Sequence, residues 1–163
     1  NTFEELFDLN VVPIVNENDT VSTYEMQFGD NDTLSAIVTS ITKADLLILL
    51  SDIDGLYSDD PHDNPDAKLS ERLIRLTGKY LAWQSHQPAA MSNRRHGDKA
   101  YSAKIATYSG ADMIIANGGN MGILYDIMND RYTGTLFHRA KDAEFVLADY
   151  IQREMAPTST GGQ

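Results

Sequence analysis

The stretch from Asp45 to Gly55, DLLILLSDIDG, decides the fold. Five consecutive aliphatic residues with no polar alternation describe a strand buried on both faces, as in parallel sheets. The run stops at Ser51-Asp52, and a turn-rich loop follows through Asp54-Gly55, Asp59-Asp60-Pro61 and Asn64-Pro65. Residues 112–116 (DMIIA) repeat the pattern and stop at Asn117-Gly118-Gly119-Asn120. Residues 11–15 (VVPIV) read as another buried strand, stopping at Asn16-Glu17-Asn18-Asp19.

Helical periodicity fills the intervals. Leu34, Ile37, Val38 and Ile41 form an i, i+3, i+4, i+7 stripe in a helix entered from Gly29-Asp30-Asn31-Asp32. Residues 2–9 place Phe3, Leu6 and Phe7 on one face. Residues 70–79 and 123–128 also read as helices, and residues 99–109 make another, closed by Gly110. Residues 132–137 read as a final strand, and Met113 and Ile114 as core. Helices alternating with unbroken apolar strands give an α/β fold with a mainly parallel sheet. Ligands of such sheets bind beyond the carboxyl ends of the strands, where the loops here are NEND, SD and NGGN. The tail after Tyr150, with Pro157 and Gly161-Gly162, reads as disordered.

Composition narrows the function. A net charge of -11 repels phosphate backbones and argues against nucleic acid. It leaves room for a nucleotide, because a few lysines, a metal ion and backbone N–H groups can reverse the sign inside one cleft. No apolar run approaches the roughly 20 residues that span a bilayer. The absence of cysteine excludes disulfides and thiolate metal sites, and the natural location is cytoplasmic. Asp52, Asp54, Asp59 and Asp60 invite a calcium-loop reading, but lack the third acid before the glycine and the twelfth-position glutamate. The four histidines are scattered without ligand spacing, so no metal ligand is assigned.

VVPIVNENDTVST, FGDNDTLSA, ADLLILLSDIDGLYSDDP and IIANG, in this order and spacing, resemble the glutamate 5-kinases of the amino-acid kinase family. NPDAKL and GTLF add to the match, which runs from Asn1 to about Ile151. The resemblance implies a three-layer αβα kinase fold, incomplete at its N-terminus. Residues 1–152 would be the C-terminal portion of the kinase domain and 153–163 a tail. It implies ATP-dependent phosphorylation of the L-glutamate side-chain carboxylate, the first step of proline biosynthesis, with Mg²⁺ as cofactor and a homo-oligomer as the full-length state. Asn18, Asp19 and Asn31 match residues that hold glutamate, and Asp32 matches the acid beside the reacting groups. Ser51 and Asp52 match the pair at the nucleotide. Asp32 is expected to orient a lysine or a substrate group rather than remove a proton.

Two departures stand out. The family's lysine-containing glycine-rich first strand and its glutamate-contacting serine have no match, and would lie upstream of Asn1. The family's Gly-Thr-Gly-Gly-Met-x-Thr-Lys aligns with residues 92–99 (SNRRHGDK), where only Lys99 coincides. A one-base frame shift accounts for this, because codons compatible with Asn93 to Tyr101 spell Thr-Gly-Gly-Met-Ala-Thr-Lys-Leu when read one base later. Lys99 stays in place in both frames and is the candidate phosphate contact. Arg94 and Arg95 read as a solvated basic loop. A non-catalytic glutamate- or nucleotide-binding remnant, or another carboxylate kinase of the family, is the alternative reading.

Overall fold

The computed structural model describes residues 2–16, 31–57, 64, 66–69 and 94–155. Among them the elements run α1 (Thr2–Asp8), α2 (Asn31–Thr42), β1 (Leu46–Ser51), α3 (Arg94–Ser109), β2 (Asp112–Asn117), α4 (Ile123–Met128), β3 (Thr135–Phe137) and α5 (Leu147–Met155). The sheet order is β1-β2-β3. β1 and β2 are parallel over six residues, from Leu46 beside Asp112 to Ser51 beside Asn117. β3 is antiparallel to β2, with Phe137 opposite Met113.

Side-chain alternation along the strands feeds two separate cores. Leu47, Leu49, Met113, Ile115 and Phe137 pack with Ala36, Ile37, Ala103, Ile105 and Ala106 on the α2–α3 face. Ile114 and Ala116 pack with Ile127 of α4 on the other, joined by Ile48 and Leu136. Apolar clusters on both faces make the αβα layering, and β2, flanked by strands, is the most completely buried.

α2 contains five hydroxyl residues, which are weak helix formers. Three bond back to carbonyls one turn earlier: Ser35 to Asn31 at 2.7 Å, Thr39 to Ser35 at 2.8 Å and Thr42 to Val38 at 2.8 Å. Their polar tips are satisfied inside the helix, so its inner face can be buried. α2 and α3 stop by the same device. A residue in the left-handed region, Lys43 (φ 55°) or Gly110 (φ 105°), is followed by an N–H that reaches back five residues. Ala44 donates to the Thr39 carbonyl at 3.1 Å and Ala111 to the Ala106 carbonyl at 3.0 Å. Each helix then turns directly into its strand.

Several expectations change. Residues 11–15 form no strand and are not buried: Val12 and Ile14 are 85% and 94% exposed. An apolar run becomes a strand only where a neighbour takes its N–H and C=O groups, and among the described residues none pairs with it. β1 is not buried on both faces either. Leu47 and Leu49 are buried while Leu46 and Leu50 are exposed, because β1 is an edge strand among the described residues. In α2 the inward face is Leu34, Ala36, Ile37 and Thr39, and Ile41 is exposed. Met113 and Ile114 are core, as read.

α3 begins at Arg94, five residues before the expected start, since RRHGDK carries a single glycine and no proline to interrupt it. The last strand is shorter than read. α5 carries regular structure past Tyr150 to Met155. It is held by Tyr150, which stacks on Tyr101 at 5.1 Å and meets Phe145 at 5.5 Å, with the Lys104 ammonium 4.6 Å from its ring centre. Residues 70–79 and 156–163 lie outside the described residues.

The amino edge of the parallel pair is closed by Arg139. Its guanidinium meets the Asp112 carboxylate at 3.1 Å and the Asp45 carboxylate at 3.5 Å, and its backbone N–H donates to Asp112 at 2.7 Å. Burial alone would push the Asp112 carboxyl up. The hydrogen bonds and positive charge of Arg139 outweigh it and hold that carboxyl below its usual range.

Candidate functional site

The short connections between α2 and β1 and between α3 and β2 place the carboxyl ends of both helices at the amino ends of the strands. The helices run back along the sheet, so their amino ends lie at its carboxyl edge. Two contacts pin α2 and α3 parallel to each other. The Ser109 hydroxyl donates to Ser40 Oγ at 2.7 Å near their carboxyl ends. Lys99 Nζ donates to Asp32 Oδ2 at 2.7 Å near their amino ends.

Lys99 and Asp32 form an ion pair at that edge. Lys99 is a buried lysine, with a side chain 9% exposed, and Asp32 retains 27%. Lysine is almost never buried without a paired anion. The pair sits in a shielded position, where charged groups interact more strongly than in open water. Asn31 heads the same helix, exposed, and its carbonyl accepts from the Ser35 hydroxyl.

The carboxyl ends of β1 and β2 form the adjoining floor. Ser51 Oγ donates to Asp52 Oδ1 at 3.2 Å, and Asp52 is exposed. The Gly118 N–H donates to the Ser51 carbonyl at 2.8 Å, tying the two strand ends together. Asn117 Nδ2 donates to Asp54 Oδ1 at 2.9 Å, and its Oδ1 accepts from the Gly119 N–H at 2.8 Å. Tyr57 reaches the other Asp54 oxygen at 3.5 Å. Partial burial, then the Asp54 charge and hydrogen bond, push the Tyr57 phenol up. Below this turn, the buried Leu56 N–H donates to Thr135 Oγ1 at 2.8 Å.

A Cβ on Gly55 would stand 2.7 Å from that same Thr135 Oγ1, so only glycine lets the turn close on β3.

Of the residues singled out in the sequence, Asp32 and Lys99 meet directly, while Asn31, Ser51 and Asp52 occupy the same edge of the fold. Asn18 and Asp19, expected to hold glutamate together with Asn31, lie outside the described residues. So do the side chains of Arg94 and Arg95. The Asp54–Asn117 bridge was not legible in the sequence, since NGGN read as a loop at the carboxyl end of a strand names no partner for Asn117. The available signal was DxDG after one parallel strand and NGG after its neighbour. Among the described residues, no group of three or more histidines or carboxylates is arranged to hold a metal ion. Nor is any helix among them long and apolar enough to cross a membrane.

Residues 1–78 match the model of the Amino acid kinase family. The chain is 46% identical over 144 residues to the glutamate 5-kinase of Clostridium perfringens, covering 84% of this chain and 52% of that protein. It is 43% identical over 141 residues to the glutamate 5-kinase of Clostridium tetani, covering 86% and 53%. The chain thus spans about half the length of these curated relatives. Among solved structures it is similar to UMP kinase from Ureaplasma parvum, with a TM-score of 0.52 at 16% identity over 68% of this chain and 43% of that one. That likeness concerns the fold.

Proposed function

The chain belongs to the amino acid kinase family, and on that premise we propose that it is part of an ATP-dependent glutamate 5-kinase, transferring the γ-phosphoryl group to the side-chain carboxylate of L-glutamate. The observation that carries the reading is the shielded Lys99–Asp32 pair at the carboxyl edge of the sheet.

The acceptor carboxylate, with a pKa of about 4.3, is ionised at neutral pH and needs no general base. One of its oxygens forms a bond to the γ-phosphorus while the bond to the bridging oxygen of ADP breaks, giving an acyl phosphate. The obstacle is the approach of two anions, so catalysis rests on positioning and positive charge. Lys99 is suited to supply that charge, and Asp32 to hold its ammonium in place without taking a proton. Asn31, with Asn18 and Asp19, is assigned to glutamate: a carboxylate neutralises the substrate ammonium, and an amide both donates and accepts. Ser51 and Asp52 are assigned to the nucleotide. Mg²⁺ belongs to the reading as an ion that would be bound through the ATP phosphates with one or two carboxylates. A cytoplasmic, homo-oligomeric protein completes the reading.

The test is glutamate-dependent ADP release from the protein expressed with the coding sequence flanking it in its gene, with hydroxylamine to trap the acyl phosphate. ADP release and hydroxamate formation, both requiring glutamate, are expected. Glutamate binding by calorimetry without either product would mark a binding remnant instead.

A further inference from the structure

We infer that Asn117 is a positioning residue for the nucleotide, shaping the Ser51–Asp54 turn through a bidirectional amide bridge. The inference rests on the assignment of Ser51 and Asp52 to the nucleotide. Asn117 ends β2 in register with Ser51, which ends β1. Residues 52–54 have left the sheet, so no ladder fixes their path. Two bonds from the β2 end do so instead. The Gly118 N–H holds the Ser51 carbonyl, and Asn117 Nδ2 holds Asp54 Oδ1. Asp52 lies between these two anchors.

The bridge needs an amide. Asn117 must donate toward the Asp54 carboxylate and at the same time accept from the Gly119 N–H. A carboxylate at this position would keep the second bond and set two anions against each other in place of the first. The glycines fit closely around it: a Cβ on Gly118 would lie 3.0 Å from Leu50 Cβ, and one on Gly119 would lie 3.1 Å from Asn117 Oδ1.

The polarity of the bridge supplies a test that general destabilisation does not mimic. In the protein expressed with its flanking coding sequence, Asn117→Asp is expected to raise the KM for ATP roughly tenfold, the scale of one lost hydrogen bond replaced by repulsion. The KM for glutamate should stay within about twofold. Combining Asn117→Asp with Asp54→Asn exchanges donor and acceptor, and is expected to restore the KM for ATP to within about threefold of wild type. Equal loss for both substrates, or a double variant no better than the single one, would overturn the inference. If the wild type shows no glutamate-dependent turnover, the proposed reaction fails. The same variants are then read by calorimetry with Mg-ATP alone, where loss in the single variant and recovery in the double one still support the role of Asn117. A wild type that binds no Mg-ATP would overturn that role as well.

Discussion

Asp32 and Lys99 are 67 positions apart in sequence, yet their charged atoms, on the second residue of α2 and the sixth of α3, lie 2.7 Å apart. Removing one partner of a fully buried ion pair costs about 3–5 kcal/mol, and the partial exposure of Asp32 brings the expectation to about 1–3 kcal/mol here. Lys99→Met should therefore lower stability by that amount in urea unfolding. It should also lower kcat at least a hundredfold, the scale reported when an electrostatic donor to a transition state is deleted. Asp32→Asn leaves the more deeply buried Lys99 without its anion and should cost at least as much stability as Lys99→Met. Turnover within threefold of wild type in Lys99→Met would remove the lysine from the proposed chemistry.

How far this pair was legible shows where sequence reading works and where it stops. Asp32 and Lys99 were each singled out by resemblance, and their meeting follows from two helices returning along one parallel sheet. The α/β class was legible because the apolar runs at 46–50 and 113–116 have no period-two polarity. The run at 11–15 is as apolar but carries Pro13, which has no N–H for a ladder, and among the described residues it lacks a pairing partner, a non-local property. Ile41, expected on the inward stripe, is exposed, and Thr39, outside that stripe, is buried. The Thr39 hydroxyl is satisfied by its own helix, so it can face inward as readily as an aliphatic side chain. The Asp54–Asn117 bridge joins residues 63 positions apart through side chains that periodicity does not register.

The Asp112–Arg139 contact predicts an acid-sensitive contribution to folding. The folded carboxyl lies below its unfolded value of about 3.9. Its contribution is therefore fully present above that value and is lost as pH falls through the folded pKa. Asp112→Asn should lower the melting temperature at pH 7, and the gap from wild type should narrow steadily below pH 4. Thermal melts of both proteins from pH 3 to pH 7 measure this. A gap that is constant across the range would mean that the charge of Asp112 contributes nothing and that only its hydrogen-bonding shape matters.

Tyr150 anchors α5 to α3 through Tyr101, Phe145 and the Lys104 ammonium. Tyr150→Ala removes a half-buried ring with its aromatic and cation–π contacts, and should destabilise the protein by about 1–3 kcal/mol. Tyr150→Phe keeps the ring and should stay within about 1 kcal/mol of wild type. Limited proteolysis offers a local readout, with cleavage within residues 147–155 accelerated in Tyr150→Ala and not in Tyr150→Phe. If both variants are cut at the wild-type rate, the docking of α5 does not depend on this ring.

The basic stretch before Lys99 makes the last prediction. The glycine-rich sequence found at this position in the resembled kinases turns backbone N–H groups toward the nucleotide, whereas here the backbone is already helical from Arg94. Lys99 is common to both readings, so its pairing with Asp32 does not depend on which is correct. Resequencing the gene across residues 80–103 is expected to reveal one missing or additional base at each end of the altered stretch. An intact frame would refute the shift. The functional counterpart is the combined variant Asn93→Thr, Arg94→Gly, Arg95→Gly, His96→Met, Gly97→Ala and Asp98→Thr, made in the protein expressed with its flanking coding sequence. It should tighten Mg-ATP binding at least tenfold by calorimetry, since it replaces one turn of helix with a run of free N–H donors next to a lysine already in place. Unchanged or weaker binding would mean that Arg94 and Arg95 serve the nucleotide as they stand, or that the phosphates lie elsewhere.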